Sequence, residues 1–183
     1  MPISHRREKL ADAILFFVTN TKYAGVTKLF KLLFLLDERH FRETGRSVTG
    51  LTYLTWEKGP APRSLWIELQ NGPVDVIADA VTVSHFTVEE DGKRTAFTAR
   101  RPFSGKHLTE RERKIMRELS EIFLDATADQ MVDVTHAPNS AWLRTMKSKG
   151  EDQVIELDAG VDRQTKAILK EILEDRYSSE PPL

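Results

Sequence analysis

Few side chains in this sequence could do chemistry, and they fall in two short stretches. Asp37 and His40 stand one helical turn apart in KLLFLLDERH, residues 31–40, and a second histidine, His136, precedes Trp142 in HAPNSAW. A carboxylate and an imidazole on adjacent turns could exchange protons or share a metal ion. Either task needs more converging ligands, and neither stretch supplies them. By itself Asp-x-x-His reads first as a structural pair in which a carboxylate pins a neighbouring loop. The sequence has no cysteine, which removes thiolate zinc sites, disulfides and a thiol nucleophile. Lys58-Gly59-Pro60-Ala61-Pro62 lacks the glycine spacing and the lysine position of a phosphate loop and reads as a rigid corner. No Ser-His-acid set stands in a recognisable context, and neither a cofactor nor a metal is implied.

These residues must be positioned by the stretch Thr27–Gly45, TKLFKLLFLLDERHFRETG. Its apolar run is too long for a strand, so it predicts a helix that starts at a Thr27 cap and stops at Gly45 in left-handed geometry. At 100° per residue, Lys28, Lys31, Glu38, Arg39 and Arg42 make a narrow polar strip opposite Leu29, Phe30, Leu33, Phe34, Leu36 and Phe41. So wide an apolar arc belongs to a central helix covered on most sides. Asp37 points into that arc, where an unpaired carboxylate would cost several kcal/mol. It is therefore expected to be buried and paired within Tyr53–Trp66, with Arg63, Lys58 or a backbone N–H, and His40 is near enough to share the network. Leu35 is the anomaly of the polar strip, an apolar side chain among charges. It is covered either by the chain itself, from the N-terminal helix or the tail, or by a partner. In the second case Lys31, Leu35 and Arg42 are the candidate partner-binding patch.

Around this helix the chain reads as mainly α with a small β-hairpin or sheet, an α+β domain spanning residues 1–177, with a disordered tail at 178–183. A first helix runs from Ser4 to about Thr19 with Arg6, Arg7, Glu8 and Lys9 in water. Ser47–Glu57 is extended, and helix resumes over Pro62–Gln70 with Leu65, Trp66 and Leu69 buried. Val81–Ala99 is a hairpin about a two-residue Asp91-Gly92 turn, which sets Phe86 opposite Phe97, Glu89 opposite Arg94 and Glu90 opposite Lys93. Thr109 and Glu112 form a capping box for a helix to about Leu124, and Thr127 caps a short helix to Thr135. Trp142 anchors another short helix, and Asp162–Tyr177 is amphipathic.

Lysine and arginine (27) nearly balance aspartate and glutamate (28), which argues against a whole-protein attraction to nucleic acid or membrane. Lys93, Arg94, Arg100, Arg101 and Lys106 form a local basic cluster, read as a solvated hairpin. Asp12 interrupts the apolar run from Leu10 to Val18, so neither a membrane span nor a signal segment is expected, and the chain reads as cytoplasmic.

KLLFLLDERH, Gly45-Arg46, Lys58-Gly59-Pro60-Ala61-Pro62 and Leu108-Thr109-x-x-Glu112 with Thr135-His136…Trp142 occur in an order that resembles the Panacea domain. That is the family of the SocA-like antitoxins and phage-associated proteins. The resemblance spans roughly Val26–Met146. It implies a mostly helical, non-enzymatic domain that neutralises a cognate protein toxin by direct contact. In one branch the domain also delivers the toxin to a Clp-type protease as a proteolytic adaptor. Asp37, His40, Gly59, Pro60, His136 and Trp142 fall on the family's typical positions. Phe34 stands where tyrosine is frequent, and Ala61 where valine is. Two other readings compete with a toxin binder. One is a hydrolase-like enzyme, if Asp37, His40 and His136 meet in one pocket. The other is an autoregulatory DNA-binding protein, for which no helix-turn-helix with a basic recognition face stands out. His136 is expected to bond to backbone or to the Asp37 network, and Trp142 to pack on the central helix or the Pro60 corner.

Overall fold

The computed structural model describes residues 5–88 and 92–160. The amphipathic stretch 162–177 and the tail at 178–183 lie outside them. The described chain runs α1 (Arg6–Asn20), α2 (Val26–Thr44), β1 (Leu54–Trp56), β2 (Gly59–Ala61), α3 (Arg63–Asn71), α4 (Asp75–Ala80), β3 (Val81–Val88), β4 (Gly92–Ala99), α5 (Glu110–Ile122), α6 (Ala128–Thr135) and α7 (Ala141–Lys149). A 3₁₀ turn, Leu157–Gly160, follows. Two two-stranded antiparallel sheets, β1–β2 and β3–β4, complete a mainly helical fold.

The centre is α2, which packs against α1, α5, α6, β2, β4 and the 3₁₀ turn. Its Leu29, Leu32, Leu33 and Leu36 are fully buried with Ala13, Ile14 and Phe17 of α1, Leu65 and Leu69 of α3, and Met116 of α5. A second, smaller cluster joins Phe34 to Tyr53, Ala141, Trp142 and Ile155. Gly45 ends α2 in the left-handed region (φ 70°) and donates its N–H to Phe41 O, as the glycine stop requires. The start lies earlier than predicted. Gly25 is the N-cap, and Thr27 lies inside the helix, because Gly25 N–H already turns back to Tyr23 O and Gly25 O accepts from Leu29.

The polar strip expected on α2 is not a solvated face. Lys28, Lys31 and Glu38 are buried, because α5, α6 and β2 close over that side, while Arg39 is half-buried and Arg42 exposed. Leu35 is half-buried and packs between the two apolar clusters, so its own chain covers it. The patch of Lys31, Leu35 and Arg42 therefore does not exist as one exposed surface. On α1, Arg7 and Lys9 are likewise drawn into ion pairs, Lys9 Nζ donating to Glu112 Oε1 at 2.6 Å and Arg7 to Glu68.

The glycine-proline corner is more regular than its composition suggests. Gly59–Ala61 forms β2 against Leu54–Trp56, pairing Thr55 with Pro60 and Trp56 with Gly59. A proline can sit in a two-stranded ladder because only one side needs an N–H donor. In α3, Leu65 and Leu69 face the core one turn apart, whereas Trp66 is exposed and meets Trp56 edge-on at 5.7 Å.

The hairpin has a different register from the one predicted. Val83 pairs with Phe97, Phe86 with Arg94, Thr87 with Lys93 and Val88 with Gly92. Gly92 (φ 73°) is thus the first residue of β4 and not the second of a two-residue turn, and three residues, 89–91, connect the strands. Those residues lie outside the described ones, as do the Glu89 and Glu90 sides of the expected charge pairs. Phe97 packs on the main core, and Phe86 is exposed. Both predicted caps hold: Thr109 with Glu112 on α5, and Thr127, joined by Gln130 into a capping box, on α6.

Candidate functional site

Four polar side chains of α2 leave the helix in different directions, and each is held by a different element. Lys28 uses all three ammonium donors on backbone carbonyls, Lys22 O (2.7 Å), Leu124 O (3.2 Å) and Ala126 O (2.7 Å). It ties the α1–α2 link to the α5–α6 link. Burial lowers its pKa, and nearby Asp125 opposes that shift.

Lys31, only 2% exposed, donates to Pro60 O at 3.0 Å beneath the glycine-proline corner. Burial lowers its pKa to about 7. The corner fits tightly over it. A Cβ on Gly59 (φ 97°) would stand 2.7 Å from Thr135 Oγ1 and 2.9 Å from Lys31 Cε, so only glycine lets β2, α2 and α6 meet here.

Asp37 is fully buried, as its place in the apolar arc requires. Oδ1 accepts the backbone N–H groups of Val48 (2.7 Å) and Thr49 (2.9 Å), and Oδ2 accepts the hydroxyls of Thr49 and of Tyr53 (2.8 Å). Burial pushes the carboxyl up, against these four hydrogen bonds. Tyr53, which belongs to the expected segment, is raised well above an ordinary phenol by burial and by Asp37. The expected cations do not take part. Arg63 pairs with Asp152 at 3.4 Å, and Lys58 is exposed. Asp37 thus fastens the 48–53 loop with neutral donors.

His40 does not join that network. Its Nδ1 faces Arg46 O at 2.7 Å, and its Nε2 approaches Glu112 Oε1 at 4.0 Å. Since Nδ1 faces a carbonyl, it carries the proton. Glu112 accepts from Lys9 and from Thr109 N–H (2.7 Å), so one buried carboxylate links α1 to the α5 cap, with His40 of α2 beside it.

His136 and Trp142 form a pair of their own. The rings stack with centroids 3.7 Å apart and planes 8° from parallel, and the Trp142 indole N–H donates to Trp56 O at 3.0 Å. Trp142 therefore anchors α7 to the end of β1 and to the Phe34 cluster, as expected of it. His136 bonds neither to backbone through Nε2 nor to Asp37, because that nitrogen is buried without a partner. Its pKa is lowered by burial first and by the Lys31 charge second, which favours the neutral ring.

Asp37, His40 and His136 thus serve three separate contacts and are not brought into one pocket. No group of three or more His, Asp or Glu side chains suited to a metal ion occurs among the described residues. The amine with the most unusual acidity, Lys31, is enclosed and committed to Pro60 O. Sequence reasoning missed Lys28 and Lys31 as internal ties, although Lys31 lies within the apolar run Leu29–Leu36 and Lys28 directly precedes it. It also missed Thr49, whose hydroxyl completes the Asp37 cage.

These contacts define a helical scaffold whose central helix is tied at separate points to the loops around it. A family model described as antitoxin SocA-like, Panacea domain, matches residues 29–143, more than half of the chain, and the protein belongs to that family. The match begins on α2 one residue past Lys28 and ends one residue past Trp142, so it takes in the Lys31, Asp37, His40–Arg46 and His136–Trp142 contacts but not the Lys28 tie. No curated protein and no solved structure matches the chain. No helix among the described residues is long and apolar enough to cross a membrane.

Proposed function

We propose that this protein is an antitoxin that neutralises a cognate protein toxin by binding it directly. The observation that carries the reading is the family match over residues 29–143. The use of the motif residues supports it. Asp37, His40, Gly59, Pro60 and Trp142 are spent on internal contacts, which leaves recognition to exposed side chains outside the motif. A scaffold tied at many internal points suits a binder, since preorganised surfaces lose less entropy on association.

The test is co-expression of the chain with the product of the neighbouring gene in a sensitive host. Restored growth together with co-purification of the two proteins supports the proposal, and unrelieved toxicity with no complex refutes it. Delivery to a Clp-type protease is a separate step within the same reading. It requires toxin lifetime to shorten in cells that have the protease and not in cells lacking it. Equal lifetimes would leave binding as the whole mechanism.

A further inference from the structure

A groove of about 450 Å³ lies at the α5–α6 corner and is lined by Ile122, Phe123, Leu124, Gln130 and Val134 with Glu121 and Asp125. Large apolar side chains crowd its rim. Ile122 is 67% exposed, Leu124 40% and Val134 39%, and Tyr23, at 69%, follows Lys22, whose N–H donates to Leu124 O. Single exposed apolar residues need no explanation, but a group of them around one groove marks an interaction surface. Tyr23 also holds a left-handed backbone (φ 55°), an uncommon conformation for an aromatic residue.

Two further observations point to what docks there. First, the platform is preorganised, because the buried Lys28 ammonium clamps Lys22, Leu124 and Ala126 from below. Second, the surroundings are acidic. Glu121 and Asp125 line the groove, and Asp129 and Asp133 follow along α6, each one position before Gln130 and Val134. All four are exposed, and Lys22 pairs with Asp125 at 2.6 Å. An apolar centre whose rim carries four acids against one lysine attracts a basic partner and steers its approach.

We propose that the α5–α6 corner is the docking surface for the toxin, and that the toxin region seated on it is basic with an apolar tip. This rests on the antitoxin reading. A second copy of the chain is a poorer occupant, because a self-contact would set these acids against one another. Residues 161–183 are a poorer occupant too, carrying five acidic and four basic side chains.

The test measures affinity between the full-length chain and its purified toxin for Ile122→Arg, for Glu121→Lys/Asp125→Lys, and for Ile67→Arg, a control at an exposed position on α3. Ile122→Arg should weaken binding roughly 30-fold or more, as removal of a central anchor does. The double charge reversal should slow association and remove most of the salt dependence, and Ile67→Arg should bind like the wild type. Ile122→Arg and Ile67→Arg should melt like the wild type, and the charge reversal should melt only slightly lower, through loss of the exposed Lys22–Asp125 pair. Toxin bound equally by all variants overturns the surface while leaving the antitoxin reading standing. A wild-type chain that binds no toxin overturns both. A lowered melting temperature in both Ile122→Arg and Glu121→Lys/Asp125→Lys identifies an intramolecular cover. Conversion of a dimer to a monomer by Ile122→Arg, with toxin affinity kept, identifies a second copy. Either result overturns the proposal.

Discussion

Replacing Lys31 with methionine should stabilise the protein at neutral pH. The amine lies in the interior with one carbonyl partner, Pro60 O, for three donors. Holding it at about 7 instead of 10.5 corresponds to about 5 kcal/mol acting against the charged form. Methionine fills a similar volume without charge but gives up the hydrogen bond and leaves the Pro60 carbonyl unpaired, a loss of about 1–3 kcal/mol. The net gain expected at pH 7 is therefore about 2–4 kcal/mol. Its sign has a pH signature. The folded-state pKa is depressed, so between about 7 and 10.5 the unfolded chain binds the extra proton, and wild-type stability from this group rises with pH across that window. The variant lacks this dependence, so its advantage should shrink toward pH 10. Urea unfolding of both proteins at pH 7, 8.5 and 10 measures the difference directly, with the remaining titrations common to both. A variant less stable than wild type by the same amount at every pH would refute the reasoning, because the ammonium would then be well compensated in the fold.

Gly59→Ala should cost about 2–4 kcal/mol in thermal unfolding, since the new Cβ meets Thr135 and Lys31 and the backbone is left-handed; a loss under about 0.5 kcal/mol would show that the corner can shift. Asp37→Ala strands four donors and should cost about 2–4 kcal/mol. Asp37→Asn keeps one acceptor oxygen and should fall between the two, and an asparagine variant weaker than alanine would contradict the cage. The His136 pKa is lowered in the fold, so the stability tied to its neutral ring is present above about pH 6.5 and lost as pH falls below it. His136→Phe, which keeps the stack on Trp142, should lose less melting temperature between pH 7 and 5 than the wild type; equal losses would place the acid sensitivity elsewhere.

Local signals were strong where one residue type decides the geometry. Gly45 had to stop α2, Thr109 with Glu112 had to open α5, and a carboxylate at Asp37 inside an apolar arc had to find partners. What stayed hidden depended on packing between distant elements. Lys28 and Lys31 look like a solvated strip on a helical wheel, and only α5, α6 and β2 closing over them turns them into internal ties. The hairpin was evident from its β-branched residues, but its register followed from Gly92 pairing with Val88, which an Asp-Gly pair does not dictate. Trp66 reads as core by type, yet Leu65 and Leu69 already fill the inward face of α3. For the site, the motif histidines suggested joint chemistry because sequence shows types and spacing but not direction. In space His40 turns to Arg46 and Glu112, and His136 to Trp142.

The most direct test of the antitoxin account is a titration of purified toxin activity with the purified full-length chain, followed by size-exclusion chromatography with light scattering. Direct binding predicts that activity falls linearly to a break at a fixed molar ratio, without time dependence, and that both proteins elute as one complex of that ratio. Loss of toxin activity that continues with time at substoichiometric protein, with no complex recovered, would contradict the account and show that the chain acts by turnover.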